Sequence, residues 1–313
     1  MKVGIIGSGN VGITTAFAIA ETGSAHIVLW GRTPGKAQGK ALDLAEAAPI
    51  RRYDVRIEGT DRFERLMDAS VLVVAAGAPR RAGMSRFDLL DDNLSLVQEV
   101  ADRVSREHRD AGGPLAPLVI MLTEPVDVMT LAFQRRASWP RERVLGVGGG
   151  LAASRLRHFI SRELGISPAD IDAMVLGTHG EGAVILERYC RISGLPLSQF
   201  LSRERIDAVF EKTLSAGTRI VEQTKVGSSF YTPGAAVGEL VQAIASDSNR
   251  VLLASVVLEG EYGVTGRAAS VPVVVGCSGV KRVFELALTD EERAAFARSV
   301  ALQEPHVARL GQE

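Results

Sequence analysis

A glycine-rich turn near the N-terminus has the residue types of a nucleotide phosphate site. The segment reads Gly7-Ser8-Gly9-Asn10-Val11-Gly12, and an apolar run, residues 2–6, precedes it. Glycines allow a tight turn and let the backbone approach a pyrophosphate, while the N-terminus of a following helix offers N–H donors. Because this turn is expected to lie between a strand and a helix, we predict that these six residues bind a dinucleotide.

The end of the next predicted strand indicates which dinucleotide is bound. An acidic residue at that point usually holds the adenosine ribose hydroxyls. Here residues 27–30 are followed by Gly31, Arg32 and Thr33, so the acid is absent. A guanidinium forks onto phosphate oxygens, and a threonine hydroxyl donates a hydrogen bond to them. We therefore expect NADP(H) to be preferred, with NAD(H) possible; the alternative is that Arg32 is a solvated turn residue and the cofactor choice is loose.

Three later segments carry side chains suited to acid–base chemistry and to anion binding. Residues 76–89 contain Arg80 and Arg86, residues 122–127 contain Glu124, and residues 176–181 contain His179. Reduction of a 2-keto acid needs a hydride at the carbonyl carbon and a proton for its oxygen, which imidazolium can give near neutral pH. Carboxylates need fixed, planar cations, which arginine supplies. A lone arginine or histidine is more often structural, so the argument depends on their occurring together.

Together with the phosphate loop, these segments resemble the lactate/malate dehydrogenase family over residues 2–303. The resemblance implies that His179 is the proton donor and acceptor and that Arg86 polarises the substrate carbonyl. It also implies that Arg155 clamps the 1-carboxylate and that Arg80 holds a second carboxylate, as in malate-type members.

The same resemblance adds two residues to the cofactor site. Asn93 matches a cofactor-proximal asparagine in the helix after the active-site loop, and Leu122, at the end of the fifth predicted strand, is placed beside the cofactor. Since members of the family form dimers and tetramers, a homodimer or homotetramer is implied.

Two positions depart from the family pattern. Ala152 stands three residues before Arg155, where the family has an aspartate that holds the catalytic histidine. Losing that carboxylate should lower the pKa of His179 and loosen its ring. Glu124 stands where an asparagine is usual, and its charge would repel an anionic substrate unless something compensates.

Three explanations of these departures are open. Glu124 could replace the missing aspartate as the electrostatic partner of His179, from a different direction. It could instead recognise a cationic or hydroxyl group on a non-standard substrate. Finally, catalysis could be degraded, which would make the chain a non-catalytic cofactor-binding relative, although retention of His179 and three arginines argues against this.

The elements that must position these residues alternate along the first half of the chain. We predict strands at residues 2–6, 27–30, 55–57, 71–76, 118–122 and 144–147, with helices at 11–21, 36–47 and 88–108 and one starting near Pro125. Such alternation indicates a doubly wound parallel sheet. The glycine run 146–150 interrupts it.

Beyond that run we predict helices at 151–164, 206–226, 233–244 and 289–303, a strand pair around 171–176, and strands at 251–258 and 271–275. The fold class is therefore α/β, with an N-terminal Rossmann dinucleotide-binding domain, residues 1–147, and a C-terminal α+β catalytic domain, residues 148–313. The site should lie at the carboxyl ends of the parallel strands.

Composition excludes several other classes of protein. The 313 residues are 46% hydrophobic and 23% charged, with a net charge of −1, which argues against a nucleic-acid partner. We expect no membrane partner and a cytoplasmic location, because no signal peptide and no apolar run of about 20 residues is present. Cys190 and Cys277 have no metal-ligand spacing, so we predict no metal site and two reduced core thiols.

We therefore predict reversible hydride transfer between NADP(H) and a small-molecule 2-keto/2-hydroxy acid. Arg80, Arg86 and Arg155 favour two anionic groups on the substrate, so malate/oxaloacetate is the leading pair.

Overall fold

The computed structural model describes residues 1–85, 87–110, 116–180, 182–225, 227 and 229–311. Fourteen strands are found in this part of the chain: β1 Lys2–Ile6, β2 His26–Trp30, β3 Ile57–Thr60, β4 Val71–Val74, β5 Leu118–Met121, β6 Val144–Gly146, β7 Ile171–Asp172, β8 Val175–Leu176, β9 Val184–Ile185, β10 Arg191–Ile192, β11 Leu195–Pro196, β12 Arg250–Glu259, β13 Thr265–Gly276 and β14 Gly279–Val283.

The described part of the chain contains ten α-helices. They are α1 Asn10–Thr22, α2 Lys36–Glu46, α3 Ala48–Arg51, α4 Leu90–Asp110, α5 Val126–Ala137, α6 Gly149–Leu164, α7 Arg203–Thr224, α8 Tyr231–Ala245, α9 Asp290–Ala301 and α10 Glu304–Val307. All but the short α3 and α10 correspond to predicted helices. Thr289 begins α9 with a capping box, in which its hydroxyl accepts from the Glu292 N–H and the Glu292 carboxylate accepts from the Thr289 N–H.

The first six strands form the predicted parallel sheet, in the order β6-β5-β4-β1-β2-β3. The central strands β4 and β5 are buried along their whole length, since helices cover both faces of the sheet. Successive strands are added on one side of β1 up to β3 and on its other side from β4 onward. The carboxyl ends of β1 and β4 therefore flank the crevice in which such sheets bind ligands. The α/β fold class with an N-terminal Rossmann arrangement is confirmed.

The sheet does not end at the predicted domain boundary. β12, β13 and β14 continue it in antiparallel fashion beyond β6, giving nine strands, and the junction pairs Gly146 with Ser255. A Cβ on Gly146 would lie 3.2 Å from the Ser255 Cβ, so the glycine allows this close approach. The boundary between residues 147 and 148 stays a prediction, but the two halves share one sheet.

Two local expectations were wrong, and one strand was missed. The third strand begins at Ile57 rather than ending there, because α2 crosses at Gly59, where a Cβ would overlap the Ala37 carbonyl oxygen. β7 and β8 do not pair with each other; β7 pairs with β10 and β8 with β9. β14 was not predicted.

The two cysteines differ in environment. Cys190 is buried, and burial raises the pKa of its thiol to about 11. Cys277 is exposed in the turn between β13 and β14, so the prediction of two core thiols holds for one of them only. Within the described ranges, no helix has the length and apolarity needed to span a bilayer, and no group of three potential metal ligands is found there.

Candidate active site

The glycine-rich turn joins β1 to α1, and each of its glycines meets a different requirement. Gly7 has φ +118°, and a Cβ there would lie 2.7 Å from the Ala76 nitrogen. A Cβ on Gly12 would overlap the Gly7 carbonyl oxygen. Gly9 faces open space, with nothing within 4 Å of the position a Cβ would take. The turn therefore needs Gly7 and Gly12 for its shape, while Gly9 leaves the backbone accessible to a ligand.

The N-terminus of α1 is suited to hold a pyrophosphate. Its N-cap residue is Gly9, and no side chain from the described part of the chain caps the helix. The first N–H groups of a helix have no intrahelical partner and carry partial positive charge. Gly7 through Gly12 therefore fit the phosphates of a dinucleotide.

The part of the cofactor site expected to bind the adenosine ribose lies in the turn between β2 and α2. Gly31 is buried, whereas Arg32 and Thr33 are exposed. A Cβ on Gly31 would overlap the Ser8 hydroxyl oxygen, so the two turns are in contact. The Lys40 ammonium donates a hydrogen bond to the Ser8 carbonyl oxygen at 2.7 Å. Burial, and then the charge of Lys36, lower the pKa of Lys40. This end of the site is rich in cations.

The sequence-predicted chemical residues meet at two adjoining cavities. The first, of about 60 Å³, is lined by Arg80, Glu124, Arg155 and His179, and by Val11 and Leu122 from the cofactor side. The second, of about 250 Å³, shares Arg80, Glu124 and His179 and extends toward Phe87, Leu302 and Gln303. Arg86 lies outside the described residues.

Glu124 and His179 face each other between these cavities. The Glu124 Oε1 atom lies 3.4 Å from the His179 Nε2 atom, and the imidazole side chain is only 4% exposed. The other carboxylate oxygen, Oε2, accepts a hydrogen bond from the Val126 N–H at 3.3 Å. Val126 is the first residue of α5, so the helix N-terminus favours the negative charge of Glu124.

Asp127 is a site residue that the sequence reasoning missed. Its Oδ2 atom accepts the His179 backbone N–H at 2.7 Å, and its Oδ1 atom accepts the Ser255 hydroxyl at 2.6 Å. The side chain is buried, which is rare for aspartate unless it is paired. The sequence signal that could have identified Asp127 is its position as an acidic residue among the apolar residues at the start of α5.

Arg155 and the loop that carries Arg80 both contact residues 225–229, the segment before α8. The Arg155 Nη2 atom donates to the Ser229 hydroxyl at 3.1 Å. The Gly227 N–H donates to the Arg80 carbonyl oxygen at 2.8 Å, and the Ala82 N–H donates to the Lys225 carbonyl oxygen at 3.3 Å. The loop that carries Arg80 is therefore tied to this segment by main-chain hydrogen bonds. Ser229 is a second residue that the sequence reasoning missed.

Arg80 is itself buried, with 7% of its surface exposed. Its Nε atom donates to the Met84 carbonyl oxygen at 2.7 Å, and its Nη2 atom lies 3.4 Å from the Thr218 hydroxyl. The loop thus folds around its own arginine and presents the guanidinium at the cavity.

Asn93 connects the ends of two strands. Its Oδ1 atom accepts the Ala78 N–H at 2.8 Å, and its Nδ2 atom donates to the Glu124 carbonyl oxygen at 2.6 Å. The side chain is 1% exposed. Asn93 positions the loops after β4 and β5; its direct contact with cofactor stays a prediction.

Ala152 lies in α6 within an apolar cluster that includes Leu156, Ile160 and Val175. The position where the resemblance leads one to expect a carboxylate is therefore surrounded by hydrocarbon.

Two family models match this chain. The lactate/malate dehydrogenase NAD-binding domain matches residues 1–146, and the lactate/malate dehydrogenase alpha/beta C-terminal domain matches residues 150–304. Among curated relatives, a malate dehydrogenase of Thermomicrobium roseum is 43% identical over 300 residues, covering 95% of this chain and 94% of the relative. One of Bacillus subtilis is 40% identical over 301 residues, covering 96% and 95%.

Solved structures agree with these matches. A malate dehydrogenase of Cryptosporidium parvum superposes with a TM-score of 0.95 at 33% identity, covering 100% of this chain and 99% of that one. A lactate dehydrogenase of the same organism, complexed with lactic acid and nicotinamide adenine dinucleotide, gives a TM-score of 0.93 at 29% identity, covering 100% and 98%.

Proposed function

The chain belongs to the lactate/malate dehydrogenase family of oxidoreductases, and on that premise we propose that it interconverts a 2-keto dicarboxylate and the corresponding 2-hydroxy acid, with malate/oxaloacetate as the leading pair. The observation that carries the proposal is the cavity lined by His179, Arg80 and Arg155 together. A nicotinamide group, when bound, supplies or accepts the hydride.

The chain's own residues supply charge, orientation and the proton. In the reducing direction the His179 imidazolium donates its proton to the carbonyl oxygen, while the two guanidinium groups bind the carboxylates. Arg155 is oriented by Ser229 and Arg80 by its fold-back onto Met84. Because the cavity is small, with a volume of about 60 Å³, bound substrate displaces water, which strengthens these interactions. Polarisation of the carbonyl by Arg86 stays part of the proposal.

We assign to Glu124 the role of electrostatic partner of His179. The support is the 3.4 Å approach of its carboxylate to Nε2. A carboxylate at that distance stabilises imidazolium over imidazole. Glu124 therefore acts on the Nε2 atom of His179, and both residues line the same cavity as Arg80 and Arg155.

Glu124→Gln tests this role. Reduction needs the protonated imidazole, so turnover falls once the pH is high enough to remove that proton. Removing the neighbouring negative charge should move this fall to lower pH and lower kcat at neutral pH. The pH profile of oxaloacetate reduction gives the measurement, with Glu99→Gln, an exposed substitution on α4, as control. Unchanged turnover and an unchanged profile would refute the role.

A second substrate class is favoured by one observation, the carboxylate of Glu124 in the cavity. A keto acid that carries a hydroxyl or cationic group could donate a hydrogen bond to it, whereas a dicarboxylate must tolerate its charge. A panel of oxaloacetate, pyruvate and bulkier or phosphorylated keto acids, each with NADPH and NADH, separates the two classes. No turnover with any of them would favour a non-catalytic cofactor-binding protein.

We propose NADP(H) as the preferred cofactor. The support is the absence of a side chain at Gly31 and the exposed Arg32 and Thr33 beside the cationic Lys36 and Lys40. Gly31→Asp should shift the preference toward NADH, because the carboxylate repels a 2′-phosphate and can bind ribose hydroxyls. Gly31→Asn introduces the same bulk against Ser8 without the charge and is the matched control. A clear NADH preference of the unmodified enzyme, measured by KM, would refute the proposal.

Self-association and a cytoplasmic location remain proposals. Exposed apolar side chains on neighbouring helices, Leu42 on α2 and Ile50 on α3, support an interface between copies of the chain. Light scattering after size exclusion gives the subunit number.

A further inference from the structure

The turns formed by residues 302–310 lie across the end of the active-site loop, and we call them the C-terminal strap. Gln303 is buried and donates from Nε2 to the Ala268 carbonyl oxygen at 2.8 Å. The Glu304 carboxylate pairs with the Arg267 guanidinium at 2.6 Å. Val307 is buried in a cluster with Leu131, Val257 and Ala268. These contacts fix one side of the strap to β13 and the sheet.

The other side of the strap contacts the residues that follow the loop. The His306 ring stacks on the Phe87 ring, with centroids 3.9 Å apart and an interplanar angle of 7°. Arg309 forms an ion pair with Asp91 in the first turn of α4. The strap thus joins the sheet to the start of α4 through one stacked ring pair and one ion pair.

The strap also forms part of the larger cavity. Leu302 and Gln303 line it together with Phe87, opposite Glu124 and His179. A change in the position of Phe87 would therefore change the wall of the cavity in which the proposed proton donor lies. Phe87 is also the direct chain neighbour of Arg86, to which the resemblance assigns polarisation of the carbonyl.

We propose that His306 is a positioning residue for catalysis: by stacking on Phe87 it holds the end of the active-site loop against the cavity. The stack is half-buried, and burial followed by the charge of Arg309 lowers the pKa of His306, which favours the neutral form of the ring that stacks on Phe87. The expected effect of His306 on turnover rests on the proposed dehydrogenase function. Its expected effect on how firmly the loop is held does not.

His306→Ala removes the ring, and His306→Phe keeps an aromatic ring in its place. Loss of a stacked ring pair should change the equilibrium between the held and the released loop by about twofold to tenfold. We expect His306→Ala to lower kcat/KM for the keto acid by that factor while leaving the dissociation constant of the nicotinamide cofactor unchanged, because the phosphate loop lies elsewhere. His306→Phe should restore kcat/KM.

A second readout does not depend on activity. Trypsin cleavage after Arg81 or Arg86, followed by mass spectrometry on the full-length protein, reports how often the loop is released. Its rate should rise about twofold to tenfold in His306→Ala and return in His306→Phe. The control is His108→Ala, which removes a half-buried imidazole that meets Trp139 edge-on near the far end of α4 and should change neither readout.

The outcomes separate the two proposals. If the unmodified protein reduces no keto acid but His306→Ala still raises loop cleavage, the proposed function fails and the role of the strap stands. If cleavage and kcat/KM are the same in His306→Ala and the unmodified protein, or if His306→Phe does not restore them, the stacking role of His306 is overturned.

Discussion

At the scale of single residues, the site is organised by two carboxylates around one imidazole. Glu124 approaches the Nε2 atom of His179, and Asp127 accepts its backbone N–H. Under the proposed role Glu124 stabilises the charged ring, whereas the Asp127 carboxylate holds the backbone of His179. The aspartate expected three residues before Arg155 is an alanine in an apolar cluster. The carboxylates that contact His179 therefore come from positions 124 and 127 and not from the position that the resemblance implies.

Asp127→Asn should weaken both the fold and turnover. The Asp127 carboxylate accepts from two donors, and an amide can accept only through its oxygen while its NH₂ group faces the second donor. Loss of a charge-assisted hydrogen bond of this kind costs about 1.5–3 kcal/mol. Urea unfolding measures the free energy, and kcat measures the displacement of His179.

The comparison variant for Asp127→Asn is Ser255→Ala, which removes one donor and leaves the contact with His179 in place. We expect a smaller loss of stability and a kcat close to that of the unmodified protein. Equal losses of kcat in both variants would contradict a specific link between Asp127 and His179.

At the scale of helices and strands, close backbone packing determines what the phosphate loop can do. α8 packs directly on α1, the helix that begins at the phosphate loop. A Cβ on Gly234 would lie 2.8 Å from the Thr14 backbone carbon, whereas a Cβ on Gly39 of α2 would have nothing within 4 Å. Gly234 therefore allows α8 and α1 to pack closely, whereas Gly39 adds only backbone freedom to α2.

Alanine at these two positions should have opposite effects. Gly234→Ala should push α8 away from α1, lower the melting temperature and weaken cofactor binding. Gly39→Ala should stabilise the protein by up to about 1 kcal/mol, because alanine favours helix and meets no obstacle. Thermal unfolding and fluorescence titration with NADPH measure the two effects. A stabilising Gly234→Ala would show that α8 has room to adjust.

The elements most visible in the sequence are those governed by local chemistry. The strand before Gly7 and the helix that starts at Thr289 could be predicted, because apolar continuity and the cap with its acidic first turn are local signals. β14 could not be predicted, because the short stretch from Gly279 becomes a strand only by pairing with β13. An approach of Glu124 to His179 was one of three explanations that the two departures from the family pattern left open. The Ser229 contact with Arg155 joins residues 74 positions apart, and no local pattern announces it.

At the scale of the whole molecule, one sheet connects the two halves that supply the active site. Glu124 and Asp127 follow β5, whereas His179, Arg155 and Ser255 come from beyond residue 148. The β6–β12 junction passes beneath these residues, because Ser255 both pairs with Gly146 and donates to Asp127. The catalytic arrangement therefore depends on the sheet being continuous.

Residues 1–147 expressed alone should be less stable than the same residues in the full chain. β6 would become an open edge, and Leu145 and Val147, now 0% and 4% exposed, would meet solvent. We expect a lower melting temperature by circular dichroism and concentration-dependent association by analytical ultracentrifugation. A monomer that melts at the temperature of the full chain would show that the first half folds independently.

The way in which the 80–84 loop is attached has an evolutionary consequence. The bonds that hold it to the segment before α8 use the Arg80 carbonyl oxygen and the Ala82 N–H, so they are made by backbone atoms that every residue at position 80 would possess. Under the proposed function the Arg80 side chain binds the second carboxylate and also folds the loop back through its hydrogen bond to Met84, whereas the two bonds to the segment before α8 do not depend on that side chain. A substitution at position 80 would therefore change the group offered to the substrate and remove the bond to Met84, while both attachments of the loop to the segment before α8 would be inherited.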